Sequence, residues 1–403
     1  MIRENRLEPL LALRALACIF VVFAHVKGNF PSDNFFVLFG WDLTWTISVT
    51  GAFGVWVFFV LSGYLMGKGF FSGRYESTVA STRKFYWNRF LRIYPLYLFS
   101  IIVTCIAFRE TYPLVGQNLK TIFDLMTFSY YGRTGFPDSV LWTISTEFRF
   151  YLLVPFVFLL VRRFATAPKA LCAVATLIVL SATAYRLWVF LHYHHQDTWM
   201  TSWIWYAYIP LIGNFDLFIL GFLLGAVLEN YRSAAPRLSF APWMGWLIFA
   251  TVYILYAYVS YGGLIKSHAF LSPIFFIGTP SLVGIGLCVT IACFELKSSA
   301  PPLPLNVNTL LAKPIRMLEI FGIITFGMYV WHILILAEVR KVDLPFSSPY
   351  TLFFAQLLIV FAASTAVATI TYLLVERPFQ RLRPLRFWPR KRSPSEGIRE
   401  SSN

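Results

Sequence analysis

Apolar residues in this chain fall in long runs bounded by charges or by Pro/Gly clusters, near residues 7–26, 46–66, 93–108, 141–161, 170–191, 204–228, 241–261, 270–294, 318–338 and 351–375. Most of these runs match the ~20 residues a helix needs to cross the hydrocarbon of a bilayer. A membrane β-barrel would instead show segments of about ten residues that alternate between apolar and polar. The pattern therefore predicts an all-α polytopic membrane protein, a bundle of about ten transmembrane helices. No internal repeat is visible, so residues 1–380 read as one transmembrane domain. Residues 381–403, rich in Arg, Pro and Ser, read as a basic cytoplasmic tail that is disordered.

Composition agrees. Of the 403 residues, 58% are apolar and 13% charged, against roughly 45–50% and 25% in soluble domains, which excludes an ordinary soluble enzyme. With the N-terminus inside, the inward segments hold 24 Lys/Arg and the outward ones 7; with acids counted, the inner face carries +15 and the outer −1. That asymmetry places both termini in the cytoplasm. It also explains the basic net charge without a nucleic-acid partner, because the charges flank membrane spans. The first span has Arg14 in its middle and no small-residue cleavage pattern, so it is a retained helix. Cys18, Cys105, Cys172, Cys288 and Cys293 all fall within spans and suggest neither a disulfide framework nor a metal set. The outer-loop group His192, His194 and His195 has no acidic or Cys partner fixed nearby and reads as solvated.

Ionisable groups at bilayer depth cost at least ~2.5–3.5 kcal/mol on insertion scales, so each is a candidate functional residue. These are Arg14, His25, Glu147, Arg149, Arg186, Asp216 and His332. Arg14 and His25 are eleven residues apart, about three helical turns and ~16 Å of rise, which puts them on one face at opposite depths. The pair would suit a long phosphorylated ligand entering from inside; equally, Arg14 could snorkel to headgroups while His25 sits at the outer interface. Glu147 and Tyr151 share a face at i and i+4, whereas Arg149 projects elsewhere. Asp216 beside Asn214 reads as a polar contact between helices. Arg89 and Arg92, three residues apart before Tyr94-Pro95, can bind phosphate or simply anchor the inner loop. Trp199, Trp203, Trp205, Tyr206 and Tyr208 mark the outer boundary and could also stack on sugars.

Together these segments resemble the integral-membrane acyltransferase-3 family, which modifies surface polysaccharides, lipid-linked sugars and small molecules. Leu13-Arg14-Ala15-Leu16-Ala17, followed by His25, is similar to its first-helix start. Gly54 through Tyr64, including Ser62, resembles the second-helix signature. Arg89 and Arg92 occupy the paired-arginine position, and Trp142 through Tyr151 carries the glutamate, Glu147. Tyr329-Val330-Trp331-His332 and Glu376-Arg377-Pro378-Phe379 resemble the late motifs. Leu11 and Trp56 stand where many members have acidic residues. Some relatives add an extracytoplasmic esterase-like domain; the resemblance here is confined to the membrane domain, which is expected to act alone or with a partner protein.

The resemblance implies O-acyl transfer, acetyl first among the groups, from cytoplasmic acyl-CoA to a hydroxyl of an extracytoplasmic or lipid-linked glycan, at the cell inner membrane. His25 and Glu147 would be catalytic, with Arg14, Arg89 and Arg92 binding acyl-CoA. Ser62, Tyr64, Trp142, Tyr151, Tyr329, His332 and Glu376 would support them. Acyl-CoA is expected as donor substrate, with membrane lipids around the chain and neither a metal nor a permanently bound cofactor. His25 can act as general base or as acyl-accepting nucleophile. The competing class is a glycan or lipid transporter or flippase, since buried charge among helices also lines substrate pathways.

Overall fold

The computed structural model describes residues 8–28, 30–31, 34–48, 51–132, 136–165, 167–231, 242–261, 272–296 and 307–383. The expected tail lies, from 384 on, outside the described residues. Ten helices among them are long and apolar enough to cross a membrane. In chain order the helices are α1 (Pro9–Lys27), α2 (Thr44–Ile47), α3 (Gly51–Phe71), α4 (Val79–Ala107), α5 (Gln117–Met126), α6 (Leu141–Val161) and α7 (Pro168–Tyr193). They continue with α8 (Trp199–Trp203), α9 (Phe215–Tyr231), α10 (Pro242–Tyr261), α11 (Ser272–Glu295), α12 (Val307–Val339), α13 (Pro349–Thr371) and α14 (Arg377–Arg381). A small antiparallel hairpin, Val37–Leu38 with Trp41–Asp42, follows α1.

The expected fold class holds, with instructive shifts. α4 begins at Val79, well before the apolar window at 93, because Thr78 caps it by accepting from the Ser81 amide and the polar stretch that follows is also helical. The run expected as one span over 204–228 is broken. A π-turn covers Ile204–Tyr208, Pro210 interrupts the ladder, a 3₁₀ turn covers Leu211–Asn214, and the helix restarts at Phe215. The freed carbonyls are satisfied from the side: Asn214 Nδ2 donates to Tyr208 O at 2.6 Å, and Arg186 donates to Gly213 O through Nε at 2.9 Å and Nη2 at 2.7 Å.

Two contacts organise the interior. α3 and α9 meet backbone to backbone: a Cβ on Gly63 would strike the Phe218 carbonyl, and one on Gly221 the Val60 carbonyl, with the same interlock repeated one turn on at Gly67 and Gly225. Small residues four apart on both helices allow this approach. α1 packs on α12 in parallel. The Glu8 amide donates to the Glu319 carboxylate, Cys18 Sγ lies 3.7 Å from Thr325 O, and His25 meets His332, so the partners advance together along both helices. Arg186, fully buried, reaches Asp216 Oδ1 at 2.6 Å and Ser281 at 2.9 Å, while Ser281 donates to Asp216 Oδ2 at 2.6 Å. Asp216 is thus the expected polar contact between helices, tied to an arginine whose three nitrogens are all hydrogen-bonded.

Candidate active site

At one end of the bundle, three guanidinium groups lie within electrostatic reach of one carboxylate, and a fourth lies beside two of them. Arg92 of α4 interacts electrostatically with Arg14 of α1, with Arg89 of α4 and with Arg383 just past α14, while Glu376 feels Arg92, Arg14 and Arg383. Glu376 is brought inward by a π-turn at Tyr372–Glu376 and is buried. Arg89 Nε and Arg383 Nε and Nη2 are buried without a hydrogen-bond partner. Burial, then the adjacent Arg89 charge, lowers the Arg383 guanidinium from its ordinary value. Glu376 Oε1 is orphaned as well, so buried donors and a buried acceptor lie unpaired at this end of the bundle, and each costs free energy until a partner joins it. Beside it a groove of about 630 Å³ runs between α4 and α6, lined by Arg83, Lys84, Trp87, Arg89, Phe90 and Tyr151 among others.

Tyr151 links that groove to the middle of the bundle. Its hydroxyl donates to Glu147 Oε1 at 2.5 Å, as the i, i+4 spacing on α6 requires, and Ser62 of α3 donates to the same oxygen. The Glu147 carboxylate borders a small cavity that Arg14, Phe58, Thr143, Thr325 and Tyr329 also line. The Thr143 hydroxyl lies 2.8 Å from the Tyr329 hydroxyl, closing the cavity toward the far end.

Farther along α1, His25 is matched by His332. His332 Nδ1 lies 2.7 Å from Tyr329 O, and His332 Nε2 lies 3.1 Å from His25 Nδ1, which also faces Val21 O at 2.9 Å. Carbonyl oxygens only accept, so His332 carries its proton on Nδ1 and presents a bare Nε2. His25 must then carry its proton on Nδ1, and its own Nε2 keeps the lone pair. A second proton on His332 would set two donors against each other, so His332 stays neutral and fixes the tautomer of His25. Arg340 Nη2 donates to His25 O at 2.9 Å and pins the end of α1.

The structure brings Arg14, Arg89, Arg92 and Glu376 together, joins Ser62 and Tyr151 to Glu147, and seats Tyr329 between that centre and the histidine pair. His25 Nδ1 faces His332 Nε2, whereas the Glu147 carboxylate is held by Ser62 and Tyr151. Trp142 stacks edge-on with Tyr208 at 5.1 Å, and Tyr64 is buried apart with the Lys68 ammonium 5.5 Å from its ring centre. Arg149 turns away as expected, donating to Phe128 O at 2.8 Å and Tyr130 O at 3.2 Å. Two residues escaped the sequence reading. Arg383 sits in a basic stretch that orientation alone explains, and Asp138, just before α6, is fully buried. Burial raises the Asp138 carboxyl well above the usual range, with the Val140 amide opposing it in part.

Comparison with known proteins identifies the family. The profile of the acyltransferase domain matches residues 10–373. YrhL of Bacillus subtilis, which bears a peptidoglycan O-acetyltransferase name, is 24% identical over 386 residues, covering 91% of this chain and 54% of that protein. The peptidoglycan O-acetyltransferase OatA of Listeria monocytogenes is 27% identical over 173 residues, 40% of this chain and 25% of its own. Nodulation protein 10 of Rhizobium leguminosarum is 28% identical over 157 residues, 33% of this chain and 41% of its own. The chain thus spans about half or less of the length of these relatives. No solved structure matches it.

Proposed function

Because the chain belongs to the acyltransferase-3 family, we propose that it moves an acyl group, acetyl first among them, from cytoplasmic acyl-CoA to a hydroxyl of an extracytoplasmic or lipid-linked glycan across the inner membrane. One observation carries the reading: the first span leads from an arginine cluster beside Glu376 to a histidine whose Nε2 lone pair is fixed. The peptidoglycan O-acetyltransferase names of two relatives favour acetyl and a glycan.

In this reading Arg89, Arg92 and Arg383 hold the CoA phosphates through charge-assisted bonds. Arg14, which lines the cavity beside Glu147, guides the thioester arm inward. The acceptor hydroxyl gives its proton to His25 Nε2 as its oxygen attacks the thioester carbonyl. The tetrahedral intermediate collapses, the C–S bond breaks, and the imidazolium returns the proton to the departing thiolate. His332 holds the imidazole in its tautomer throughout. Glu147, held by Ser62 and Tyr151, positions the acceptor.

Mass spectrometry of surface glycans from cells with and without the gene tests the class of activity. Loss of one acyl mass per modified residue on an otherwise intact polymer is expected. Loss of the polymer itself would mean transport instead.

A further inference from the structure

At the His25 end of the bundle, a second cavity of about 100 Å³ is bordered on α3 by Ala52 and Trp56, where Val55, Phe58 and Phe59 border the Glu147 cavity. It is several times the ~10–15 Å³ that one water requires. Trp56 of α3, Trp203 of α8, Tyr208 of the π-turn, Tyr256 of α10 and Phe275 of α11 line it. The Trp56 indole is buried, and its N–H has no hydrogen-bond partner. An indole N–H is donor only, and burying it unpaired costs free energy that an acceptor oxygen would recover.

We infer that this aromatic cavity is the saccharide subsite of the acceptor, seating one pyranose ring against the aromatic faces with a ring hydroxyl or acetamido oxygen on Trp56 Nε1. The inference rests on the acyl-transfer reading for what happens next to the sugar, and on the cavity alone for its binding. Flat aromatic faces suit the C–H faces of sugars, and one or two fixed polar groups give orientation. Arg186 also borders the space, but its charge is paired with Asp216 and each of its nitrogens is already bonded, so the cavity favours an uncharged ring over an anion. Tyr208 connects the two sites. It lines this cavity and packs edge-on at 5.1 Å against Trp142, the residue before Thr143 of the Glu147 cavity. A sugar seated here would direct a substituent past Tyr208 toward the reacting centre.

The same packing explains the helix break that displaced the expected span. The π-turn and Pro210 swing Tyr208 and Ala207 onto the cavity, where a continuous helix would place them differently.

The test uses the purified full chain with the N-acetylglucosamine tetrasaccharide as probe. Saturation-transfer NMR on the wild type should show ring protons in contact with the protein. Trp56→Phe keeps the ring and its edge-on packing against Tyr256 at 5.5 Å but removes the N–H. It should weaken the probe about tenfold and raise the apparent KM for glycan while leaving that for acyl-CoA unchanged. Ala52→Leu, which fills the cavity from α3 without removing any polar group, should weaken it as well. Wild-type protein that does not bind the probe, or binding indifferent to both substitutions in folded protein, overturns the inference. Binding that depends on Trp56 in a protein that acylates no hydroxyl keeps the cavity and removes the acyl-transfer reading. Acylation indifferent to Trp56 does the reverse.

Discussion

His332 Nε2 stands 3.1 Å from His25 Nδ1 and joins the ninth span to the first at the end opposite the arginine cluster. His332 touches no substrate in the proposed reaction; it acts by fixing which nitrogen of His25 bears the proton. His332→Ala should therefore lower kcat by about 10²-fold with little change in the KM for acyl-CoA. His332→Gln, whose amide oxygen can accept from Nδ1, should recover part of the loss. Equal loss in both variants, or a change confined to KM, would contradict the positioning role.

The arginine cluster makes a separate kinetic prediction. Arg89→Ala, Arg92→Ala and Arg383→Ala should each raise the apparent KM for acyl-CoA by roughly tenfold or more, as expected for losing a charge-assisted bond to phosphate. Raising salt should weaken donor binding in the wild type more steeply than in the variants. Were these residues only topological anchors, donor kinetics would stay as they are while insertion or expression changed.

Much of this was legible in the sequence because bilayer depth makes polar residues conspicuous. Arg14, His25 and Glu147 stood out against apolar surroundings, and the three-turn spacing placed the first two on one face; in the fold they meet Thr325–Tyr329 and His332 along one side of α12. What periodicity could not show was which helices are neighbours. Nothing in residues 51–71 or 215–231 taken separately says that Gly63 meets Phe218, or that two stretches 307 residues apart share a histidine contact. Arg383 was hidden for a different reason: a cation in a basic segment already accounted for by orientation carries no further signal until Glu376 and Arg89 are found beside it.

The α3–α9 interlock bears on stability rather than chemistry. Gly63→Ala places a methyl against the Phe218 carbonyl, and Gly221→Ala places one against Val60; neither backbone can yield without separating the helices. Each should cost about 1–3 kcal/mol, seen as a lower melting temperature in detergent. An unchanged melting temperature would mean the helices are not in this contact.

Asp138 ties stability to pH. Its carboxyl is raised well above the usual range, by burial first, so the neutral form belongs to the fold. That stabilisation is complete below the unfolded value of ~3.9 and is lost as pH climbs through the folded one. Asp138→Asn, neutral at every pH, should melt close to wild type in acid and increasingly above it toward pH 8. A variant that loses stability relative to wild type as pH rises would show that Asp138 is held as a paired carboxylate.

Removal of the proposed base should leave a folded protein without chemistry. His25→Ala is expected to insert and extract as the wild type does while showing no measurable transfer, since no other histidine lies on α1. Activity near wild type would end the assignment.

In the proposed reaction one path through the bundle joins a polyanionic donor at the arginine end to an acceptor at the histidine end. Sealed vesicles of known sidedness measure this directly. Radiolabelled acetyl-CoA is supplied only to the face bearing Arg89 and Arg92, and the glycan acceptor is confined to the other. Label should appear on the acceptor with wild-type protein and vanish with His25→Ala. Transfer that occurs only when both substrates share the arginine-bearing face would contradict the through-membrane path and mark the protein as an acyltransferase acting before export.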